Sequence, residues 1–189
     1  MADPRTVDTR RLRARARGPA IGVAVLVVVG VVLFAFGGGG SSGGVAYAGD
    51  LRPGGTLEEL RLPALEGDGT FDYASFADRP VVINFFASWC PACVAEMPAF
   101  EHVHQRLGDR VVFLGIAQSD APDASIELVR QTGITYATGL DPRGAFFNAI
   151  GGLGMPTTVL VHPGGEIAEV WVGALDEGSL EDLIAEHFG

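Results

Sequence analysis

The stretch Val81-Val82-Ile83-Asn84-Phe85-Phe86-Ala87-Ser88-Trp89-Cys90-Pro91-Ala92-Cys93 decides how this chain is read. Val81 to Phe86 is short, apolar and rich in β-branched and aromatic residues, the composition of a buried strand. Pro91 suits the first position of a helix, where its missing N–H has no intrahelical partner to lose. Val94, Met97, Phe100, Val103 and Leu107 follow at helical spacing, which predicts a helix over 91–107. The cysteines therefore fall where a strand hands over to a helix. Cys90 sits at the positive helix start, where unpaired backbone N–H groups lower a thiol's pKa, and Cys93 lies one turn inside. Cys90 reads as the nucleophile and Cys93 as the more buried resolving thiol, with Trp89 packing beside the pair and limiting solvent access. No other cysteine exists in the chain. Two cysteines are too few for a disulfide scaffold, so an apolar core must hold the fold and the pair is left for function.

Working outward, residues 58–72 read as short strands about a turn at Gly67-Asp68-Gly69. Residues 111–117 form a second buried strand, and 124–132 a helix with Asp123 as candidate N-cap and Gly133 as stop. A helical turn is expected at 146–150, and strands at 157–161 and 167–172 joined through His162-Pro163-Gly164-Gly165-Glu166. An amphipathic helix at 179–188 ends the chain. This alternation predicts an α/β fold, a mixed central β-sheet flanked by helices. Phe85, Phe86 and Trp171 read as core. Gln118-Ser119-Asp120 reads as a surface loop, with a place on the rim of the cysteine site as the alternative.

The N-terminus is of another character. Residues 1–18 form a basic segment, and residues 19–36 run without a charge. Such a run reaches about 26 Å as a helix, near the lower limit for a bilayer. The arginines on one side predict a cytoplasmic N-terminus and an extracytoplasmic C-terminal domain on the cell membrane. A signal cleaved near Ala48, at the small-x-small sequence Ala46-Tyr47-Ala48, is the alternative. Residues 37–49 read as a Gly/Ser-rich flexible linker and 50–189 as the folded domain.

Charge divides along the same line. Residues 1–48 carry six arginines against Asp3 and Asp8, a net of +4; residues 49–189 carry seven against 21 acids, a net of −14, which together make the overall −10. An acidic domain repels nucleic acid, so DNA or RNA binding is not expected. Nor is a metal: a structural zinc site takes four ligands, there is no second Cys-x-x-Cys, and His102 and His104 are two apart on one helix and face different sides.

Asn84 to Pro98 (Asn-Phe-Phe-Ala-Ser-Trp-Cys-Pro-Ala-Cys-Val-Ala-Glu-Met-Pro) together with Gly154-Met155-Pro156-Thr157-Thr158 resembles the thioredoxin superfamily, and within it the membrane-anchored TlpA/ResA-like thiol-disulfide oxidoreductases. The resemblance covers roughly residues 50–189. It implies a thioredoxin fold with Cys90 and Cys93 as the redox disulfide and no cofactor. It also implies a cis peptide at Met155-Pro156 facing the pair, with the Met155 backbone offering strand-like hydrogen bonds to an extended substrate. Thioredoxins proper carry a buried Asp where this chain has Asn84, and a neutral amide is no base. Glu96 matches the acidic position of the ResA-like branch, one helical turn beyond Cys93; burial would raise its pKa and let it exchange a proton with Cys93. A solvated helix glutamate is the plainer alternative. Pro98 is expected to kink the helix.

The activity expected from this is extracytoplasmic thiol-disulfide exchange. In the reducing direction it would act on disulfides of exported proteins such as apocytochrome c, in cytochrome c biogenesis, with electrons from a membrane thiol reductase of the CcdA or DsbD type. The same chemistry reversed would make a disulfide-inserting oxidase, served by a disulfide-generating membrane oxidase. More distant are a peroxiredoxin-type peroxidase, which needs a Thr-x-x-Cys setting, and a copper-binding module, which needs a longer cysteine spacing and a dedicated His.

Overall fold

The computed structural model describes residues 40–42 and 44–189. The expected membrane-spanning segment and its basic flank lie outside the described residues. Among the described residues no helix is long and apolar enough to cross a membrane. In chain order the elements are β1 (Gly40–Ser42), β2 (Val45–Gly49), β3 (Leu57–Pro63), β4 (Thr70–Asp72), a 3-10 turn (Tyr73–Ser75), β5 (Val81–Phe86), α1 (Pro91–Leu107), β6 (Val112–Gln118), α2 (Pro122–Thr132), β7 (Ala137–Asp141), α3 (Ala145–Ala149), β8 (Thr157–Val161), β9 (Ile167–Val172) and α4 (Glu177–Phe188).

Five strands form the central sheet in the order β7-β6-β5-β8-β9. β5, β6 and β7 are parallel, because a parallel neighbour requires a crossover and α1 and α2 supply it. β8 and β9 are antiparallel additions, so the sheet is mixed, as expected. β5 lies in the middle and all six of its residues are buried. Its side chains alternate between two cores. Val82 and Phe86 join Met97, Phe100 and Val103 of α1, Leu128 of α2, and Leu180 and Ile184 of α4. Val81, Ile83 and Phe85 join Leu57, Leu60 and Leu62 of β3 and Phe146 of α3. Covering on both faces is why β5 reads as an unbroken apolar run. Phe100 is fully buried, and Phe100→Ala would cost about 3–5 kcal/mol.

The second face carries a sheet of β1 to β4, which corrects the expected linker boundary. Residues 45–49 pair with β3, Ala46 opposite Arg61 and Tyr47 opposite Leu60. Val45 is fully buried, and the Tyr47 ring lies 5.8 Å from that of Phe146. Glycine and serine composition describes a flexible chain only until apolar side chains find a partner strand. Ala46–Ala48, the small-x-small sequence, lies inside β2.

Three further differences follow from strand pairing and helix capping. β7 was not expected, because Ala-Thr-Gly-Leu-Asp has little strand propensity of its own; β6 recruits it as its parallel neighbour. A side chain at Gly139 would come within 2.9 Å of Leu62, so glycine lets β3 cross there. α2 starts at Pro122 with Ala121 as N-cap, which leaves Asp123 in the first turn rather than capping. α4 starts at Glu177, because Asp176 accepts from the Ser179 N–H at 2.8 Å.

Candidate active site

The chain leaves β5 through a turn closed by the Cys90 N–H on the Ala87 carbonyl at 3.1 Å. Cys90 is the N-cap of α1, with extended backbone (φ −103°, ψ 100°) and Pro91 behind it. Its Sγ accepts the Cys93 N–H at 3.2 Å, and Cys90 and Cys93 are joined as a disulfide. Cys93 is wholly buried and Cys90 nearly so, at 5% exposed. A backbone donor aimed at the Cys90 sulfur, at the positive end of a seventeen-residue helix, is what lowers a thiol's pKa once the bond is reduced.

Three residues beyond Cys93 in α1 stands Glu96, only 3% exposed. Its Oε1 accepts from Asn84 Nδ2 at 2.7 Å and its Oε2 from the Leu175 N–H at 3.0 Å. Burial pushes its pKa up to about 7, against the opposing pull of these two donors. Asn84 is no base; it is the one side chain that donates to Glu96 among the hydrogen bonds of the described residues. Pro98 stands inside the same helix, two residues further on.

A second loop meets the turn that carries Cys90. Trp89 is 57% exposed, its indole Nε1 donating to the Ser119 carbonyl at 3.2 Å. The segment read as a surface loop, Gln118-Ser119-Asp120, is built into the site. Asp120 Oδ2 accepts from the Ser88 N–H at 2.6 Å and Ser125 Oγ at 2.7 Å. Its Oδ1 accepts from Ser88 Oγ and the Ala121 N–H, both at 2.9 Å. Burial disfavours the Asp120 carboxylate, but the donors outweigh it and hold the group below the usual range. The sequence reading held this segment's place on the rim of the site only as its alternative to a surface loop; a Ser in one strand-to-helix turn and an Asp in the next are the signal that favours it.

The Met155–Pro156 peptide is cis. The Pro156 carbonyl accepts from the Gly173 N–H at 3.0 Å, and Met155 packs partly buried against both cores. Asp141, wholly buried, holds the start of α3 by accepting from the N–H groups of Ala145, Phe146 and Phe147. Phe85 pairs in register with Thr157, and Thr157 with Val172. The end of the sheet that carries Cys90 therefore also carries Leu153, Trp171 and Val172. With Trp89 these are the exposed large apolar side chains among the described residues. Trp171 is thus edge rather than core, whereas Phe85 and Phe86 are fully buried.

The histidines diverge. His102 meets Glu177, and His104 packs against Phe113 and Tyr136. No group of three metal-ligating side chains gathers among the described residues.

Residues 48–184 match the family model described as Redoxin. The chain is 27% identical over 128 residues to the thiol-disulfide oxidoreductase ResA of Halalkalibacterium halodurans, covering 67% of this chain and 66% of that one. It is 27% identical over 130 residues to the thiol:disulfide interchange protein DsbE of Pseudomonas fluorescens biotype C, covering 68% and 71%. Among solved structures it is similar to a secreted Mycobacterium tuberculosis disulfide oxidoreductase homologous to E. coli DsbE, at 25% identity and a TM-score of 0.61, covering 67% of this chain and 94% of that one. The mixed sheet and its helices are the thioredoxin fold.

Proposed function

The chain belongs to the Redoxin family, and from that premise we propose that it is a thiol-disulfide oxidoreductase working outside the cytoplasm through Cys90 and Cys93. The observation that carries this is Cys90 as helix N-cap, its sulfur receiving the Cys93 N–H and bonded to Cys93. Relatives of similar length named for thiol-disulfide exchange support it.

The direction we favour is reduction. The Cys90 thiolate attacks one sulfur of a substrate disulfide, forming a mixed disulfide and expelling the other sulfur as a thiolate. Cys93 gives up its proton, for which Glu96 is the nearest buried acceptor along α1, and its thiolate attacks Cys90 Sγ. The Cys90–Cys93 disulfide forms, and the second substrate sulfur leaves and is protonated. Two electrons and two protons pass from the dithiol to the substrate. An extended substrate segment would lie along Met155 and cis-Pro156, with Trp89 as its apolar neighbour. Met155 makes no hydrogen bond within the described residues, which suits that role. Exported proteins, apocytochrome c among them, are the proposed substrates. A membrane thiol reductase is the proposed electron source, and the apolar segment 19–36 the proposed anchor.

The deciding measurement is the reduction potential of the Cys90–Cys93 pair, equilibrated against thiol buffers. A value below about −230 mV supports a reductant, and one above about −150 mV sinks that reading in favour of a disulfide-inserting oxidase. Cys90→Ala should abolish turnover of insulin disulfides. Turnover surviving it would overturn the exchange reading altogether.

A further inference from the structure

We infer that Asp120 is a positioning residue of the redox centre: together with the Ser119 carbonyl it fixes the Ala87–Cys90 turn, and so sets how Cys90 and Trp89 meet a substrate. The inference rests on the thiol-disulfide reading above and adds to it a control that lies in a different loop.

The argument begins with acceptor capacity. An ionised carboxylate has about four lone-pair sites and no donor. Asp120 receives four donors, the Ser88 N–H, Ser88 Oγ, Ser125 Oγ and the Ala121 N–H. Capacity and demand match, and no other side chain of this length does the same. An asparagine amide, whichever way it is turned, would point one N–H at a backbone N–H that cannot accept, of Ser88 or of Ala121.

The second part is where those donors come from. Ser88 belongs to the turn before Cys90, Ala121 caps α2, and Ser125 lies in the first turn of α2. One carboxylate therefore ties the start of α2 to the turn that starts α1, across 32 residues of sequence. Ser88 is held through both its backbone and its side chain. The residue after it, Trp89, is held by Ser119, so two successive residues before the nucleophile are pinned from one loop.

The third part is backbone strain. Ser119 has a φ of +48°, and among the described residues it is the one non-glycine residue with a positive φ. That region is unfavourable for a residue with a Cβ, and it persists where the surroundings over-determine it. Here the conformation accompanies a carbonyl presented to the Trp89 indole.

The consequence concerns Cys90. Its Sγ meets the Cys93 N–H because its own backbone is held extended at the helix cap, and that backbone is continuous with the pinned turn. Releasing the turn weakens the bond that favours the thiolate, which raises the thiol pKa. Removing a neighbouring negative charge does the opposite and lowers it. The two effects have different signs, so one titration separates positioning from simple electrostatics.

The experiment uses the reduced full-length chain and its Asp120→Asn, Ser88→Ala and Ser125→Ala variants. The rate of Cys90 alkylation by iodoacetamide is followed against pH, and KM and kcat are measured separately for insulin disulfides. Asp120→Asn should move the alkylation midpoint up by about half to one pH unit. It should also raise KM for insulin about three- to tenfold with a smaller change in kcat. Ser88→Ala and Ser125→Ala should move both in the same direction by less. An unchanged or lowered midpoint in a folded Asp120→Asn chain overturns the proposal. Should that chain not fold, unchanged midpoints in both folded serine variants overturn it instead. Absence of insulin turnover in the unaltered chain would count against the exchange reading alone, because the alkylation midpoint reads the positioning of Cys90 without any substrate.

Discussion

Two carboxylates flank the same pair of cysteines and are treated in opposite ways. Glu96, in α1, is almost fully buried, meets two donors and is pushed up to about 7. Asp120, in the loop after β6, meets four donors and stays below the usual carboxylate range although burial opposes it. Glu101 is a second carboxylate of the Asp120 kind. It is only 5% exposed, and burial acts against its charge too, yet it is held low by the Thr135 N–H and hydroxyl and by Gln105, with His104 adding to this. Lighter desolvation and more donors together keep the charge on Asp120 and Glu101, whereas heavy desolvation with only two donors brings Glu96 to about 7. One carboxylate of each kind thus stands in the segments that adjoin the disulfide, Glu96 three residues beyond Cys93 and Asp120 bonded to Ser88 two residues before Cys90.

Glu96→Gln should break this contrast with the largest effect. The folded pKa of Glu96 lies above its unfolded value of about 4.5, so its contribution to stability is complete below that value and lost as pH rises toward 7. The glutamine variant carries no such loss. Its amide can donate to Asn84 Oδ1 after an amide flip, an acceptor that otherwise has no partner. Urea unfolding should find the variant no more stable than the parent at pH 4 and up to about 3 kcal/mol more stable at pH 8. An equal difference at both pH values would refute the assignment.

Asp120→Ala should come next, with the opposite pH dependence. A depressed folded pKa contributes stability above the unfolded value, and that contribution is lost as pH falls through the folded one. The alanine variant should be about 2–3 kcal/mol less stable at pH 7, with the gap closing in acid. A gap that persists unchanged into acid would show that the loss is one of packing.

Asn84→Ala sharpens the comparison by taking one of the two donors from Glu96. The carboxyl should titrate about one pH unit higher still, read by NMR with carboxyl-labelled glutamate. No change would mean that burial alone sets its value. The smallest effect is expected for Ser125→Ala, which removes one of the four donors to Asp120 and should lower stability by about 1 kcal/mol in the same unfolding assay.

Much of the fold is legible in local pattern. The strand at Val81–Phe86, the helix at Pro91–Leu107 and the hairpin strands Thr157–Val161 and Ile167–Val172 coincide with the sequence reading, because each carries its own periodicity and end signals. The missed strands and the misplaced Trp171 are of one kind. β2 and β7 are strands because β3 and β6 pair with them, and their own residues say little. Trp171 looks like core in composition and stands at the edge because β9 is the last strand of the sheet.

The sequence by itself determined that two cysteines stand at a helix start behind a buried strand, because helix caps, proline placement and strand patterning act between near neighbours. Only the tertiary structure decided the chemistry around them. Glu96 takes its second donor from Leu175, 79 residues away, and Asp120 takes Ser88 from 32 residues back. The charge of a carboxylate depends on which groups face it in space, and no local pattern in the chain records which distant segments the fold will bring there.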